Sequence, residues 1–111
     1  MIVGTTIQRL DGNTYYSPEF PRGGLAATFV VDVTQLVLSS GSITVIVEHR
    51  NNEDTTWSTA GTFTAITAVG AASLDVTGLK EVVRLAFGFV TTTTTTDAAH
   101  FLVQAPTWRP Y

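Results

Sequence analysis

The chain has 111 residues, of which 14% are charged and 44% hydrophobic, and its formal net charge at pH 7 is −3. This length fits a single domain, and the acidic balance argues against nucleic-acid binding because the six Lys and Arg residues are scattered and form no basic stripe. The lack of cysteine excludes disulfides, thiolate metal sites and cysteine nucleophiles.

Alternating apolar and polar residues are the main structural signal along the chain. They are clearest at Leu25–Thr34, Ser42–His49 and Val82–Val90, where every second side chain is apolar. With weaker segments included, we predict strands over 2–10, 14–16, 25–34, 42–49, 56–59, 62–66, 73–76, 82–90 and 100–105. Turn-forming residues separate them at 11–13, 39–41, 51–54, 60–61, 69–70 and 77–78.

This spacing of strands and turns predicts an all-β protein. Seven to nine short strands with a turn every 8 to 12 residues are typical of a single β-sandwich of jelly-roll or immunoglobulin-like topology. We expect one domain over 1–111 with an extended segment at 17–24, here called the arm, and a C-terminal tail at 106–111. The threonine run Thr91–Thr96 has no apolar face, and we expect a solvated loop there. No apolar run reaches the roughly 18 residues of a membrane helix, and the N-terminus lacks the pattern of a signal peptide, so we expect no membrane partner.

The arm combines Pro18 and Pro21 with the glycine pair Gly23–Gly24. Prolines fix φ and favour an extended segment, and glycines permit a sharp redirection into the next strand. Two interpretations stay open. In the first, the arm presents the apolar side chain of Phe20 and the hydrogen-bond donors of Arg22 to a partner. In the second, the arm is a crossover that lies on its own sandwich.

The tail APTWRPY carries the residue types that most often anchor protein interfaces, Trp108, Arg109 and Tyr111. It lies outside any strand pattern. We expect it either to contact another subunit or to seal the end of its own sandwich.

Candidate catalytic residues are few. His49 and His100 lie in no recognisable nucleophile or metal motif, and a surface pair between Glu48 and Arg50 is expected beside His49. The cluster Asn51–Asp54 is expected to be a hairpin tip, since it lacks the spacing of a calcium loop. We therefore predict no enzymatic activity, no cofactor and no metal.

Trp57 is expected in the core. Trp57 and Trp108 also raise the alternative of a sugar-stacking platform, because such aromatic rings suit that role.

The order SPEFPRGG, AATFVVDV, ITVIVEHRNNEDTTW, GLKEVVRLAFGFV and APTWRP resembles small virion proteins of tailed bacteriophages, of the head decoration or cement type. The resemblance runs from about Ser17 to Pro110. Part of the pattern, from the hairpin through Trp57 to the later strand, is also similar to carbohydrate-binding sandwiches.

The resemblance implies a non-enzymatic protein on the outer surface of the head, in the virion, that binds the major capsid protein and stabilises the shell by bridging its subunits. Phe20, Arg22, Trp108, Arg109 and Tyr111 are then the expected capsid or subunit contacts. The alternatives are a tail, adaptor or fibre component, or a carbohydrate-binding module. Apolar strand stretches such as FVVDVTQLVL favour a covered, homo-oligomeric arrangement, for which we expect a trimer with a dimer as the alternative.

Overall fold

A computed structural model describes residues 3–8, 14–37, 41–90 and 98–110 of the chain. The strands in these ranges are β1 Val3–Gln8, β2 Tyr15–Tyr16, β3 Phe20–Pro21, β4 Ala26–Val37, β5 Ser42–Arg50, β6 Ser58–Thr62, β7 Gly70–Val76, β8 Val82–Val90, β9 Ala98–Val103 and β10 Thr107–Arg109. The described ranges contain no helix, and hence none with the length and hydropathy to cross a membrane. The threonine run and Tyr111 lie outside the described residues.

The strands form two antiparallel sheets whose order follows from the pairing of β4 and β8. Strand β7 pairs with Ala27–Val33 of β4, whereas β9 pairs within Val31–Val37 and β10 with Ala26–Thr28. A strand has two edges, and each stretch of an edge pairs with one neighbour. The stretch of β4 that pairs with β7 overlaps the stretches that pair with β9 and with β10, so β7 lies on one edge of β4, and β9 and β10 lie one after the other along the opposite edge. Strand β5 likewise fills one edge of β8 along Val82–Val90, so β2 and β3 share the other.

The first sheet therefore has the order β1, β9 with β10, β4, β7, and the second has the order β2 with β3, β8, β5, β6. When β2 and β3 are counted as one strand position, and β9 and β10 as another, the strands alternate between the sheets along the chain except at β5 and β6, which are neighbours in the second sheet. Eight strand positions in two sheets with this alternation form a jelly roll. The predicted β-sandwich is confirmed, and of the two topologies left open by the sequence the jelly roll is observed.

The core lies between the two sheets and is built from the inward-facing half of each alternating strand. Phe87 of β8 and Phe101 of β9 meet across it, with their ring centroids 5.0 Å apart. Burying one such side chain stabilises the fold by about 1.5–3 kcal/mol. The largest fully buried side chains are Phe29, Phe87, Phe101, Ile43, Leu79, Leu85, Val31, Val45, Val47 and Val83.

The structure differs from the sequence prediction in the arm, around β6 and in the tail. Residues 20–21 of the arm form β3, the predicted strands 56–59 and 62–66 are replaced by the single strand β6, and Gly70, predicted as a turn residue, begins β7. Ala60 and Gly61, predicted as a turn, lie within β6, where a Cβ on Gly61 would come within 3.1 Å of Leu74 and 3.2 Å of Val76. The glycine thus permits close packing between the sheets. The tail, predicted outside any strand, includes the short strand β10, because its backbone continues along β4 after the interruption at Pro106.

Candidate interaction surface

The arm lies along the free edge of β8. Tyr15 pairs with Phe87 at one end, and Phe20 pairs with Val83 at the other. Between them, the Ser17 amide donates to the Leu85 carbonyl at 2.9 Å, and the Ser17 hydroxyl accepts from the Leu85 amide at 2.8 Å. The arm is therefore a crossover that lies on its own sandwich.

The inner side of the arm packs against the tail. Trp108 is half-buried, and its ring makes edge-to-face contacts with Phe20 of the arm and Phe29 of the core, at centroid distances of 6.3 and 6.2 Å. Such pairs contribute about 0.5–1.5 kcal/mol beyond the area they bury. Phe20 and Trp108, both expected at an interface with another molecule, are thus joined to each other in one chain.

The glycine pair of the arm makes this close contact possible. A Cβ on Gly23 would lie 2.7 Å from the Trp108 ring, and a Cβ on Gly24 would lie 2.2 Å from the Arg109 carbonyl oxygen. Both distances are too short for any side chain. We call the contact between residues 20–24 and 106–109 the arm–tail seam.

The two arginines predicted as contacts are also engaged within the chain. The Arg22 guanidinium donates to the Leu79 carbonyl, and its amide donates to the Glu81 carbonyl at 3.0 Å. Arg109 donates to the Thr28 hydroxyl at 2.8 Å, and lies 3.9 Å from Asp75. The hydrogen bonds of Arg22 therefore fix the arm, and that of Arg109 fixes the tail.

The outer face of the second sheet carries a stack of aromatic rings and guanidinium groups. The Arg84 guanidinium lies 3.9 Å from the Tyr16 ring centroid and 4.3 Å from that of Trp57. Its Nε donates to the Glu48 carboxylate at 2.8 Å. Cation–π contacts and a charge-assisted hydrogen bond therefore hold Arg84 in one orientation. The predicted pair between Glu48 and Arg50 is wrong, because neighbouring β8 places Arg84 directly opposite Glu48.

Arg50 extends this stack toward the hairpin tip. Its guanidinium lies 5.0 Å from the Trp57 ring centroid and 3.4 Å from the Glu19 carboxylate of the arm. It also donates to the carbonyls of Asn51, Asn52 and Asp54 at 3.2–3.4 Å. We call the residues Tyr16, Glu48, Arg50, Trp57 and Arg84 the aromatic–arginine array.

The oxygen atoms of the hairpin tip hold the turn itself. The Asp54 carboxylate accepts from the Asn51 amide at 2.9 Å, and the Glu81 carboxylate accepts from the Asn52 amide at 3.0 Å. Within the described ranges no three His, Asp or Glu side chains gather in an arrangement that could hold a metal ion.

Trp57 does not lie in the core as expected. It is half-buried on the outer face, because the chain between the hairpin tip and β6 runs outside the core, next to Arg84 and Arg50. Both tryptophans proposed for sugar stacking therefore have rings in contact with other side chains of the same chain. A sugar would have to use the remaining surface of each ring.

His49 is a structural residue rather than an exposed acid or base. It is 9% exposed, and its Nδ1 accepts a hydrogen bond from the Lys80 amide at 3.2 Å. Burial, and then the positive charge of Lys80, lower the pKa of His49 below its ordinary value. The imidazole is thereby kept neutral inside the sandwich.

The array could not be found from local sequence patterns. Tyr16, Trp57 and Arg84 lie on separate strands or loops, and only the order of strands in the second sheet brings them together. The available signal was the alternation that places Arg84 and Glu48 on the outer faces of two predicted strands, but the register between these strands was unknown.

No family model, curated protein or solved structure matches this chain.

Proposed function

We propose that this protein is a non-enzymatic structural protein of a tailed-bacteriophage particle, which decorates the outer surface of the head and bridges major capsid subunits. The sequence resemblance over residues 17–110 supports the proposal. A fold alone does not assign a function, so the proposal depends on the surface that the fold presents. The observation that carries it is the preorganised aromatic–arginine array on an exposed sheet face.

The array has the composition of a protein-binding centre. Tyr, Trp and Arg dominate the binding energy of protein interfaces, and here they form one connected stack with Tyr16 53% exposed. Arg84 is already oriented by Glu48 and by two rings, so little side-chain entropy is lost when a partner binds. We therefore assign the array to the contact with the capsid.

The arm–tail seam gives this surface a rigid support. Tyr16 and Glu19, which contact Arg84 and Arg50, flank the start of the arm, whose other end is fixed by Trp108. Phe20, Arg22, Trp108 and Arg109, which were expected at the interface, thus fix the arm and the tail, and we assign the contact itself to the adjacent array.

Stabilisation of the shell follows from mass action. A protein that binds the assembled lattice and not its dissociated subunits stabilises the lattice by an amount set by its concentration and its Kd. Repetition of the same contact at symmetry-related positions adds many weak interactions together.

Co-sedimentation with particles assembled from the major coat protein of its source tests the assignment. We expect Tyr16→Ala to weaken binding about 10- to 30-fold, as for the loss of an interface anchor worth about 1.4–2 kcal/mol. Val37→Ala is the matched control, since Val37 is similarly exposed, at 58%, on the first sheet. Equal binding by both variants would remove the array as the contact, and a wild-type chain that does not bind would contradict the proposed function.

A further inference from the structure

The four outer strands of the sandwich are protected to different degrees against pairing with another chain. The arm contains Pro18 and Pro21, and β6 has five residues and a register shift opposite Val47 and Glu48. Both features discourage added strands. Strand β7 has seven residues, GAASLDV, with no proline, no lysine and a single charge at Asp75. The described part of β1 has six residues, one fewer than β7.

The hydrogen-bonding direction of β7 follows from its neighbour β4. The Gln104 amide donates to the Val30 carbonyl at 3.1 Å, so the backbone groups of Val30 point toward the β9 edge. Those of Phe29 and Val31 therefore point toward β7, where their partners are Leu74 and Ala72.

It follows that the residues of β7 between these partners point their backbone N–H and C=O groups away from β4. The backbone N–H and C=O groups of Ala71, Ser73 and Asp75 lie on the edge of β7 opposite β4, here called its open edge, and no other residue in the described ranges bonds to them. These are the groups that an added antiparallel strand uses.

The sequence of β7 allows it to pair antiparallel with β7 of a second copy, because its large and small side chains then lie opposite each other. If a two-fold axis passes at Ser73, Gly70 lies opposite Val76 of the second copy, Ala71 opposite Asp75, and Ala72 opposite Leu74. Each larger side chain then meets glycine or alanine, and the two Asp75 carboxylates are not opposite each other. In this register the three residues whose backbone groups lie on the open edge also pair with one another: Ala71 with Asp75 of the second copy, and Ser73 with Ser73.

We propose that two copies of this chain pair antiparallel through β7, with the two-fold axis at Ser73, and so join their first sheets into one continuous sheet. Such a contact is isologous and closes at a dimer. The surrounding surface favours close approach, because the concavity of about 240 Å³ beside β7, formed by Val33 and residues 64–72, has no charged lining residue. This inference does not depend on the proposed function.

A proline on the open edge tests the pairing. In Ser73→Pro the lost N–H points away from β4, so the subunit keeps its own hydrogen bonds while the added strand is blocked. Thr62→Pro on β6 is the matched control. The Phe63 amide donates to the Val45 carbonyl at 2.9 Å, so the neighbouring Thr62 also faces outward.

Sedimentation velocity should be measured at about 100 µM protein, a concentration at which a dimer with a Kd of about 1 µM is almost fully formed. We then expect the wild type and Thr62→Pro to have twice the 11.9 kDa mass of one chain. Ser73→Pro should sediment as a folded monomer. A monomeric wild type would overturn the proposal and leave the edge to a strand of another protein. A dimer that survives Ser73→Pro would overturn it as well.

Cysteine cross-linking tests the register with variants that leave the backbone intact. The chain has no cysteine of its own, and hydrogen-bonded antiparallel partners have Cα atoms about 5.5 Å apart, within disulfide range. Ser73→Cys should therefore cross-link with itself under mild oxidation. Ala71→Cys and Asp75→Cys should cross-link only when mixed, because the Cα atom of each is about 14 Å from that of the same residue in the other copy. Cross-linking of Ala71→Cys alone, or none in the mixture, would overturn this register.

Discussion

At the scale of single residues, two positions link the sequence to the stability of the sandwich. Gly24 permits the tail backbone to pass against the arm, and His49 is a titratable group held inside the core. Neither role was evident from neighbouring residues. A glycine pair is compatible with many turns, and alternation places His49 on the face of Val47 without showing that a hydrogen bond from Lys80 satisfies it there.

Replacement of Gly24 by alanine should destabilise the fold. The added Cβ would lie 2.2 Å from a backbone oxygen, so the arm or the tail must shift, and we expect the free energy of unfolding to fall by about 1–3 kcal/mol. Urea denaturation measures this as a lower midpoint with an unchanged slope. Gly88→Ala is the control, because its nearest contact would be the Thr14 hydroxyl at 4.0 Å. Equal midpoints for the two variants would contradict the seam.

Acid should destabilise the fold through His49. Its folded-state pKa is lowered by burial and by Lys80, whereas the unfolded chain keeps the ordinary value of about 6.5. Below that value the unfolded state binds more protons, so the contribution of neutral His49 is present above about pH 6.5 and is lost as the pH falls.

We expect wild-type stability to decline between pH 7 and pH 5, as measured by urea denaturation at several pH values. In His49→Gln, which removes the titration but retains a hydrogen-bond acceptor, this decline should be smaller. Parallel pH profiles for the two proteins would contradict a neutral, buried His49.

At the scale of strands, alternation was a reliable guide where a strand had one buried face. Val82–Val90 was predicted with the bounds that the structure shows, and Ser42–His49 ends one residue short of β5. The prediction failed where a residue serves contacts distant in sequence. Gly61 was taken as a turn former, but it lies under Leu74 and Val76 of the other sheet.

The interaction surface was predicted less completely, for the same physical reason. The sequence indicated that Phe20 and Trp108 are important aromatic residues, yet not that they contact each other. The array depends on the register of β8 against β2 and β5, and single-chain patterns do not specify pairing between strands that are far apart in sequence.

Replacing Arg84 of the array should destabilise the fold more than replacing Glu19 of the arm, which pairs with Arg50. The side chains of Arg84 and Glu48 are only 18% and 20% exposed and share a 2.8 Å bond. Arg84→Ala leaves a partly buried carboxylate without its partner, and we expect a loss of about 1–3 kcal/mol of unfolding free energy in urea denaturation. Glu19→Ala should cost less than about 0.5 kcal/mol, because Glu19 is 53% exposed. A larger loss from Glu19→Ala than from Arg84→Ala would contradict this account.

At the scale of the whole molecule, the jelly roll separates two kinds of surface. The second sheet carries the charged and aromatic array, whereas the open edge of the first sheet is nearly neutral. The array is suited to a different protein and the edge to a second copy of the chain. A decoration protein with both contacts would connect neighbouring capsid subunits through its own dimer.

The copy number of this chain relative to the major coat protein, measured by quantitative mass spectrometry of purified particles from its source, tests the proposed function most directly. We predict hundreds of copies in a simple ratio to the coat subunit, as expected for a protein that repeats with the lattice. A handful of copies would indicate a tail or portal component and contradict lattice decoration. Complete absence from the particles would contradict a virion role and favour the glycan-binding alternative.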